Sequence, residues 1–302
     1  MFNNVKETID CLAGQSYIAS EDIATTVYLA LKMEKPILVE GPAGVGKTEL
    51  GKCIASALGM DLIRLQCYEG LDESKALYEW EYAKQLLYTQ ILKDKLSSIM
   101  EKESTLSTAV ERLTREEDVF FSNKFLLPRP ILKAITGSNR SLLLIDEIDK
   151  SDSEFEAFLL EVLSDFQVSI PEIGTIQADI KPFVFLTSNN AREMSDALKR
   201  RCLHLYIDYP ARDLEERIVS LKVPECGEKL RVEVVRAVHK IRELQLKKDP
   251  SISETLDWAR ALVILGIHDL THDVAVETLN LILKYEKDIE LAKKNSKNIF
   301  VH

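Results

Sequence analysis

The stretch Leu38-Val39-Glu40-Gly41-Pro42-Ala43-Gly44-Val45-Gly46-Lys47-Thr48-Glu49-Leu50 decides the fold. Gly41, four intervening residues and then Gly46-Lys47-Thr48 match the phosphate-loop pattern without a departure. Pro36–Glu40 before it reads as a short apolar strand, and Glu49–Leu58 after it has helical spacing. Glycines let backbone N–H groups turn inward around phosphate oxygens, and the helix that follows offers its positive end to the same anion. Lys47 has the reach for the β- and γ-phosphates, and the Thr48 hydroxyl suits Mg²⁺. A Gly-rich turn that bound nothing would need neither the Lys-Thr pair nor the flanking elements. The stretch therefore implies a nucleoside triphosphate site, with residues Gly41, Pro42, Ala43, Gly44, Val45, Gly46, Lys47, Thr48 and Glu49 around the phosphates.

A second stretch completes the chemistry. Ser141-Leu-Leu-Leu-Ile-Asp-Glu-Ile-Asp149 carries four consecutive apolar residues, which suits a strand buried on both faces of a parallel sheet. Asp146 and Glu147 stand at its end, where open α/β sheets bind their ligands. Holding a metal and activating a water need separate carboxylates. Asp146 is assigned to Mg²⁺ and Glu147 to the water that attacks the γ-phosphate. Asp149 and Lys150 read as helix-entry charges.

Composition agrees with a globular enzyme. The 302 residues are 46% hydrophobic and 29% charged, with a formal charge of −10 and a sequence pI of about 5.2. That length allows two domains, or one with an appendage. The acidic balance argues against a chain whose main task is gripping a nucleic-acid backbone. Cys11, Cys53, Cys67, Cys202 and Cys226 are scattered without paired spacing and read as reduced thiols of a cytoplasmic protein. The first residues lack a basic start and an apolar core, so no signal peptide is expected. No apolar run is long enough for a membrane span.

Around the two motifs the pattern alternates strand and helix. Residues 1–35 read as helical, with Ser20 opening a helix whose stripe is Ile23, Val27 and Leu31. Further strands are expected at Leu62–Cys67, Leu142–Ile145, Pro182–Thr187 and Leu203–Ile207. Residues from Lys84 to Asp118 read as a charged helical insertion, with Leu86, Leu87, Ile91 and Leu96 spaced for one face. Ser151 and Glu154 read as a capping box for a helix to Phe166, and Gln167–Gln177 as a β-hairpin. After Tyr209-Pro210 strand signals stop, and Asp213 with Glu216 reads as another capping box. The expected fold is α/β: a parallel-sheet P-loop NTPase domain over 1–211, with an insertion at about 84–118, and a smaller all-helical lid domain over 212–302.

This layout resembles the AAA+ ATPases, and within them the MoxR group, over nearly the whole chain. The finer resemblance rests on Gly70-Leu-Asp-Glu-Ser-Lys-Ala-Leu-Tyr-Glu-Trp80, on Tyr82–Leu87 and on Ser251-Ile-Ser-Glu-Thr-Leu-Asp-Trp-Ala-Arg260. These segments are similar to the CoxD-like branch, ATPases associated with maturation of molybdenum-containing carbon monoxide dehydrogenase and similar hydroxylases. The resemblance implies ATP and Mg²⁺ as cofactors and a homo-oligomeric ring, usually hexameric. It also implies a protein client and a partner with a von Willebrand factor A-type domain.

Site residues carry over singly. Asn189, ending the strand after the hairpin, matches the γ-phosphate sensor, with Asn190 as its competitor. Ser195–Cys202 resembles the arginine-finger segment; counting back from Tyr209-Pro210 favours Arg200, and counting from the following strand favours Arg201. The lid normally supplies an arginine where this chain reads Ser253-Glu254-Thr255. Arg260, on another face from Thr255, is the nearest candidate, a salt-bridged surface arginine being the alternative. Tyr17 and Ile18 lie where the family contacts adenine, though either could be core. Cys202 and His204 have too few companions for zinc, and His268 and His272 flank a turn with Thr271 as helix cap. Tyr78, Trp80, Tyr82 and Tyr88 fit a client surface or local packing equally.

Two function classes follow: a ring ATPase that remodels a protein client, or a nucleic-acid motor or loader of the same fold. Loops that track nucleic acid need Lys or Arg. Gln167–Gln177 offers Glu172 as its sole charge. This favours a polypeptide client, with Ile170 and Ile173 of the hairpin as expected contacts.

Overall fold

A computed structural model describes residues 2–84, 86–87, 126–171 and 173–300. Most of the expected insertion at 84–118, together with Tyr88 and Glu172, lies outside the described residues. The chain divides into two compact units. The first comprises Met1–Gly59, Thr187–Ala191 and Leu203–His302, and the second comprises Met60–Leu186 and Arg192–Cys202.

In the first unit, helices α1 (Val5–Gly14) and α2 (Glu21–Met33) precede strand β1 (Ile37–Glu40). Ser20 caps α2 by accepting from the Ile23 amide, as its position before Glu21-Asp22 predicts. β1 is buried throughout and leads through the glycine loop into α3 (Lys47–Leu58). It pairs in parallel with β9 (Leu203–Tyr206), Ile37 opposite Leu203 and Glu40 opposite Tyr206. The rest of this unit is helical: α8 (Arg212–Lys222), α9 (Glu228–Arg242), α10 (Ile252–Ile264), α11 (His272–Ile282), α12 (Glu286–Lys294) and α13 (Ser296–Phe300). Their common core includes Val219, Val234, Leu262 and Leu279, with fully buried Trp258 donating its indole N–H to Thr278 Oγ1 at 2.9 Å. Thr271 caps α11, as expected. Asp213 and Glu216 do not form a capping box: α8 starts at Arg212 with Ala211 as an unassisted cap. Glu216 instead pairs with Arg212 at 2.9 Å, one turn away on the same helix.

The second unit holds β2 (Asp61–Gln66), α4 (Glu73–Leu77), β3 (Tyr78–Trp80), β4 (Leu126–Pro128), α5 (Pro130–Ile135), β5 (Ser141–Asp146), α6 (Ser153–Asp165), the hairpin β6 (Gln167–Ile170) and β7 (Gly174–Gln177), β8 (Phe183–Ser188) and α7 (Asp196–Arg201). β5 is buried at all positions and pairs in parallel with β2 on one side and β8 on the other. β2, β5 and β8 thus lie side by side as parallel strands, and the last residues of β8 count with the first unit. α6 is capped by Asp152, which accepts from the Phe155 amide, and not by Ser151. Ser151 Oγ is occupied instead by the Ile148 carbonyl at 2.7 Å.

Tyr78 and Trp80 meet edge to face with centroids 5.8 Å apart, while Tyr82 is 69% exposed. In the hairpin, Val168 and Ile170 are buried. Ile170 is therefore core of its own unit, because the strand alternation turns it inward. Thr175 and Gln177 face outward, and Ile173 and Ile176 are half-buried. No helix among the described residues is long and apolar enough to cross a membrane.

Candidate nucleotide site and catalytic side chains

The first unit assembles the phosphate loop around close backbone approaches. Gly41 sits at φ +145°, and a Cβ there would lie 1.9 Å from the Ile207 carbonyl oxygen. Gly44, at φ +77°, leaves no more room: a Cβ would come within 2.1 Å of Oγ of Ser251, the N-cap of α10. Any side chain at either position would push the loop off its partner, which is the physical reason for glycine there. Ser253 adds a hydroxyl bond to the Gly44 carbonyl at 3.4 Å.

Lys47 and Thr48 lie on the first turn of α3, Lys47 buried and Thr48 half-buried. The Lys47 ammonium donates to the Gly41 carbonyl at 2.7 Å, the Pro42 carbonyl at 2.6 Å and Asn189 Oδ1 at 2.8 Å. All three partners are acceptors, as an ammonium group requires. The contact to Asn189 spans 142 residues of sequence and separates Asn189 from its neighbour. Asn190 takes a left-handed backbone conformation at φ 60°, and its amide bonds Ser188 Oγ at 3.1 Å. Of the two candidates, Asn189 faces the lysine.

A cavity of about 460 Å³ in the same unit borders this loop, within the range of small-ligand sites. Tyr17 and Ile18, Gly44–Gly46, Leu205–Pro210 and residues of α8 and α10 line it. Both residues expected at adenine are thus on its wall. Burial first, then the nearby Cys53 and Glu49, push the Tyr17 phenol up, so it stays neutral. Glu49 pairs with Lys222 of α8 at 3.6 Å and with Lys52 at 3.7 Å. Arg260 also lines the cavity, while its guanidinium pairs with Asp257 at 3.3 Å. Thr255 is fully buried, on another face of α10 from Arg260.

The second unit carries the acids. Asp146 is 2% exposed at the end of β5. Arg64 of β2 donates to its Oδ2 through Nε at 3.1 Å and through Nη2 as well. Glu147 is forced into a left-handed conformation (φ 58°, ψ 51°). Its Oε2 accepts from Gln66 Nε2 at 3.0 Å and from Lys150 Nζ. Lys150 is therefore more than a helix-entry charge, and the Glu147 carboxylate beside it pushes its ammonium up. Asp149 is buried in the short turn Ile148–Lys150.

Burial, followed by the charges of Asp146, Asp149 and Glu147, pushes the Cys67 thiol up to about 12. This concentration of negative charge and hard oxygen donors fits a divalent cation such as Mg²⁺. Cys67 and the other four cysteines are free thiols.

The arginine segment is anchored by a pair that the sequence reading missed. Arg192 Nη1 meets Glu156 Oε2 at 2.8 Å, and Glu156 Oε1 accepts from the Ser195 amide at 2.7 Å, at the cap of α7. Burial pushes the Glu156 carboxyl up, but the bonds from Ser195 and Arg192 outweigh it and hold it below its ordinary value. Arg200 and Arg201 are both exposed on α7. Arg201 bonds Ser164 Oγ at 2.8 Å and the Ala197 carbonyl at 3.4 Å. His204 on β9 pairs with Glu40 at 2.6 Å, which gives that side chain a partner other than a metal. Arg64, Gln66, Glu156 and Arg192 carry no local motif. Gln66 ends β2 with Arg64 two residues before it, Glu156 lies near the start of α6, and Arg192 lies in the segment between β8 and α7.

Comparison with known proteins places this assembly. The model of the ATPase family associated with various cellular activities (AAA) matches residues 37–209. An uncharacterized protein of Staphylococcus aureus strain USA300 is 24% identical over 252 residues, covering 81% of each chain. One from Staphylococcus haemolyticus strain JCSC1435 is 24% identical over 262 residues, covering 84% of this chain and 86% of the other. Among solved structures, a mutant of Thermotoga maritima RuvB superposes with a TM-score of 0.50 at 17% identity, covering 88% of this chain and 71% of that one. The Thermotoga maritima RuvB Holliday junction branch migration motor gives 0.46 at 16% identity, covering 93% and 72%. At such identities the structural likeness speaks for the fold alone. The family match extends over more than half of the chain, from β1 through the phosphate loop and the acid pair to β9. The chain therefore belongs to the AAA family of ATPases and is an ATP-hydrolysing enzyme.

Proposed function

We propose that the chain assembles into a homo-oligomeric, hexameric ring that uses ATP hydrolysis to remodel or mature a protein client. The client class is a molybdenum-containing hydroxylase, and the partner is a protein with a von Willebrand factor A-type domain, as in the MoxR group and its CoxD-like branch. The setting is the cytoplasm, where thiols stay reduced. The lid domain of this reading is 212–302, following a nucleotide-binding domain over 1–211.

In this reading the phosphate loop from Gly41 to Glu49 wraps the triphosphate, and Tyr17 and Ile18 hold the adenine. Lys47 leaves its carbonyl partners for the phosphates, and Asn189 then senses the γ-phosphate. Thr48 and Asp146, both hard oxygen donors, would hold Mg²⁺, which supplies charge neutralisation on the phosphate oxygens. Glu147 polarises the attacking water. Arg200 is the better candidate for the finger, since Arg201 is tied to Ser164 while Arg200 has no bonded partner among the described residues. Arg260 serves as the lid's sensor.

The observation that supports a protein client is the hairpin β6–β7, which lies in sequence between the acid-bearing strand and the strand of Asn189. Its outward positions Ser169, Thr175 and Gln177 are neutral, a surface suited to polypeptide and without the cations that a phosphate backbone needs. Because Ile170 is core, the test uses Ile173→Ser together with Ile176→Ser. ATP turnover should persist while maturation of a co-expressed molybdenum hydroxylase fails. Maturation at the wild-type level, or tight DNA binding by the wild type at physiological salt, would overturn the client reading.

A further inference from the structure

Glu215 on α8 is completely buried, and a lone carboxylate there would be costly to keep charged. Four donors meet it. Arg242 contributes Nη1 at 2.6 Å and Nη2 at 2.9 Å, His239 contributes Nε2 at 2.9 Å, and Thr255 contributes Oγ1 at 2.7 Å. Buried ion pairs rarely repay their desolvation in stability compared with apolar packing, so such a cluster invites a search for what it positions.

Its outer contacts give the answer. The Arg242 guanidinium stacks 4.8 Å from the ring of Tyr209, a wall residue of the cavity. Arg242 Nε donates to the Pro250 carbonyl at 2.8 Å, just before Ser251. The single Thr255 hydroxyl proton is shared between Glu215 Oε1 and the Ser251 carbonyl, which lies at 3.1 Å. Ser251 is the residue that packs on Gly44 of the phosphate loop. One buried carboxylate thus fixes both a wall of the cavity and the helix start that rests on the loop, all within the first unit.

We infer that Glu215, Arg242 and Thr255 are positioning residues for the nucleotide, holding Tyr209 and the start of α10 in register with the phosphate loop. The inference rests on reading the cavity as the nucleotide site. Its test is binding of a fluorescent ADP analogue with Mg²⁺ to the full chain. Thr255→Val, which keeps the volume and removes the hydroxyl, should weaken binding roughly three- to tenfold, the worth of a hydrogen bond. Thr255→Ser should restore it. Should the valine variant fail to fold, Thr255→Ala provides the same deletion with less bulk. Leu279→Ala is the control: it opens the same helical core without touching the cluster, and binding should stay within about twofold of wild type although the melting temperature falls.

Wild-type affinity in a folded Thr255→Val or Thr255→Ala variant would overturn the inference. So would a Leu279→Ala loss of affinity equal to that of the threonine variants at matched stability, since the cluster would then be merely structural. A different outcome would sink the nucleotide site itself: Lys47→Ala binding the analogue as tightly as wild type.

Discussion

The phosphate-loop lysine of the first unit and the acids at the end of β5 in the second are held by opposite means. In the first, Lys47 rests on two carbonyls of its own loop and one amide side chain. In the second, Asp146 and Glu147 depend on side chains from β2 some 80 residues away, with separations of 82 and 81. A charge held mainly by backbone depends on glycine and loop geometry, and single side-chain substitutions nearby leave most of its contacts intact. One held by side chains is exposed to every substitution of its partners. The lysine is therefore expected to be robust to its surroundings and the acids sensitive to theirs.

The largest expected effect concerns the exposed arginines of the second unit. If Arg200 completes a neighbouring subunit's site, Arg200→Ala should lower turnover by about 10³-fold or more, and Arg201→Ala by much less, since Arg201 is committed to Ser164. Mixing Arg200→Ala with Lys47→Ala chains should restore part of the activity, each supplying what the other lacks. Steady-state hydrolysis across a dilution series checks the same point. A rate per chain that stays flat into the monomer range would exclude an arginine acting between subunits.

Next in size is the contrast between the lysine and the water-polarising acid. Glu147→Gln should keep nucleotide binding and lose about 10²–10⁴-fold in turnover, the usual contribution of a positioned general base. Lys47→Ala should lose binding itself. Single-turnover hydrolysis beside equilibrium binding separates the two, and wild-type turnover by the glutamine variant would remove Glu147 from the chemistry.

The same contrast explains what could be read from the chain alone. The residues Gly41–Thr48 are contiguous, so their spacing carries their geometry, and β5 declares itself by four apolar residues ahead of two acids. Asn189 and Asn190 could not be separated by spacing, because their difference is a backbone conformation and a partner 142 residues away. Arg64, Gln66 and Glu215 left no trace because their roles exist only once distant elements meet. The slip from Ser151 to Asp152 at the start of α6 has a simpler cause. Both residue types cap helices equally well, and the short turn Ile148–Lys150 claims the serine first.

A smaller effect tests whether the acids really lean on β2. Arg64→Ala removes the guanidinium from a carboxylate that is 2% exposed. A fully buried pair broken this way costs about 3–5 kcal/mol. Because Arg64 is itself 46% exposed, and water can replace part of its contact, about 2 kcal/mol is the expected loss. Urea unfolding would register it as a lower midpoint at unchanged slope. An unchanged midpoint would mean that Asp146 is satisfied without Arg64, and the contrast between the units would weaken.

The smallest effect is set by pH at Glu156, which ties α7 to α6. Its folded-state value lies below the ordinary 4.5 because the bonds from Ser195 and Arg192 outweigh burial. A carboxylate depressed in the folded state stabilises the protein above the unfolded-state value, and that contribution is lost as the pH falls through the folded one. Wild type should therefore lose stability on acidification below about pH 4.5. Glu156→Gln, which cannot titrate, should start about 1 kcal/mol lower at pH 7 and lose less over the same interval. The two denaturation midpoints should converge in acid, whereas parallel curves down to pH 3 would show that Glu156 does not carry this part of the acid response. The bonds of Lys47 to the Gly41 and Pro42 carbonyls and to Asn189 involve no titrating acceptor, so these three bonds should persist over the same interval. Amide exchange in α3 measured across the same interval can test that directly.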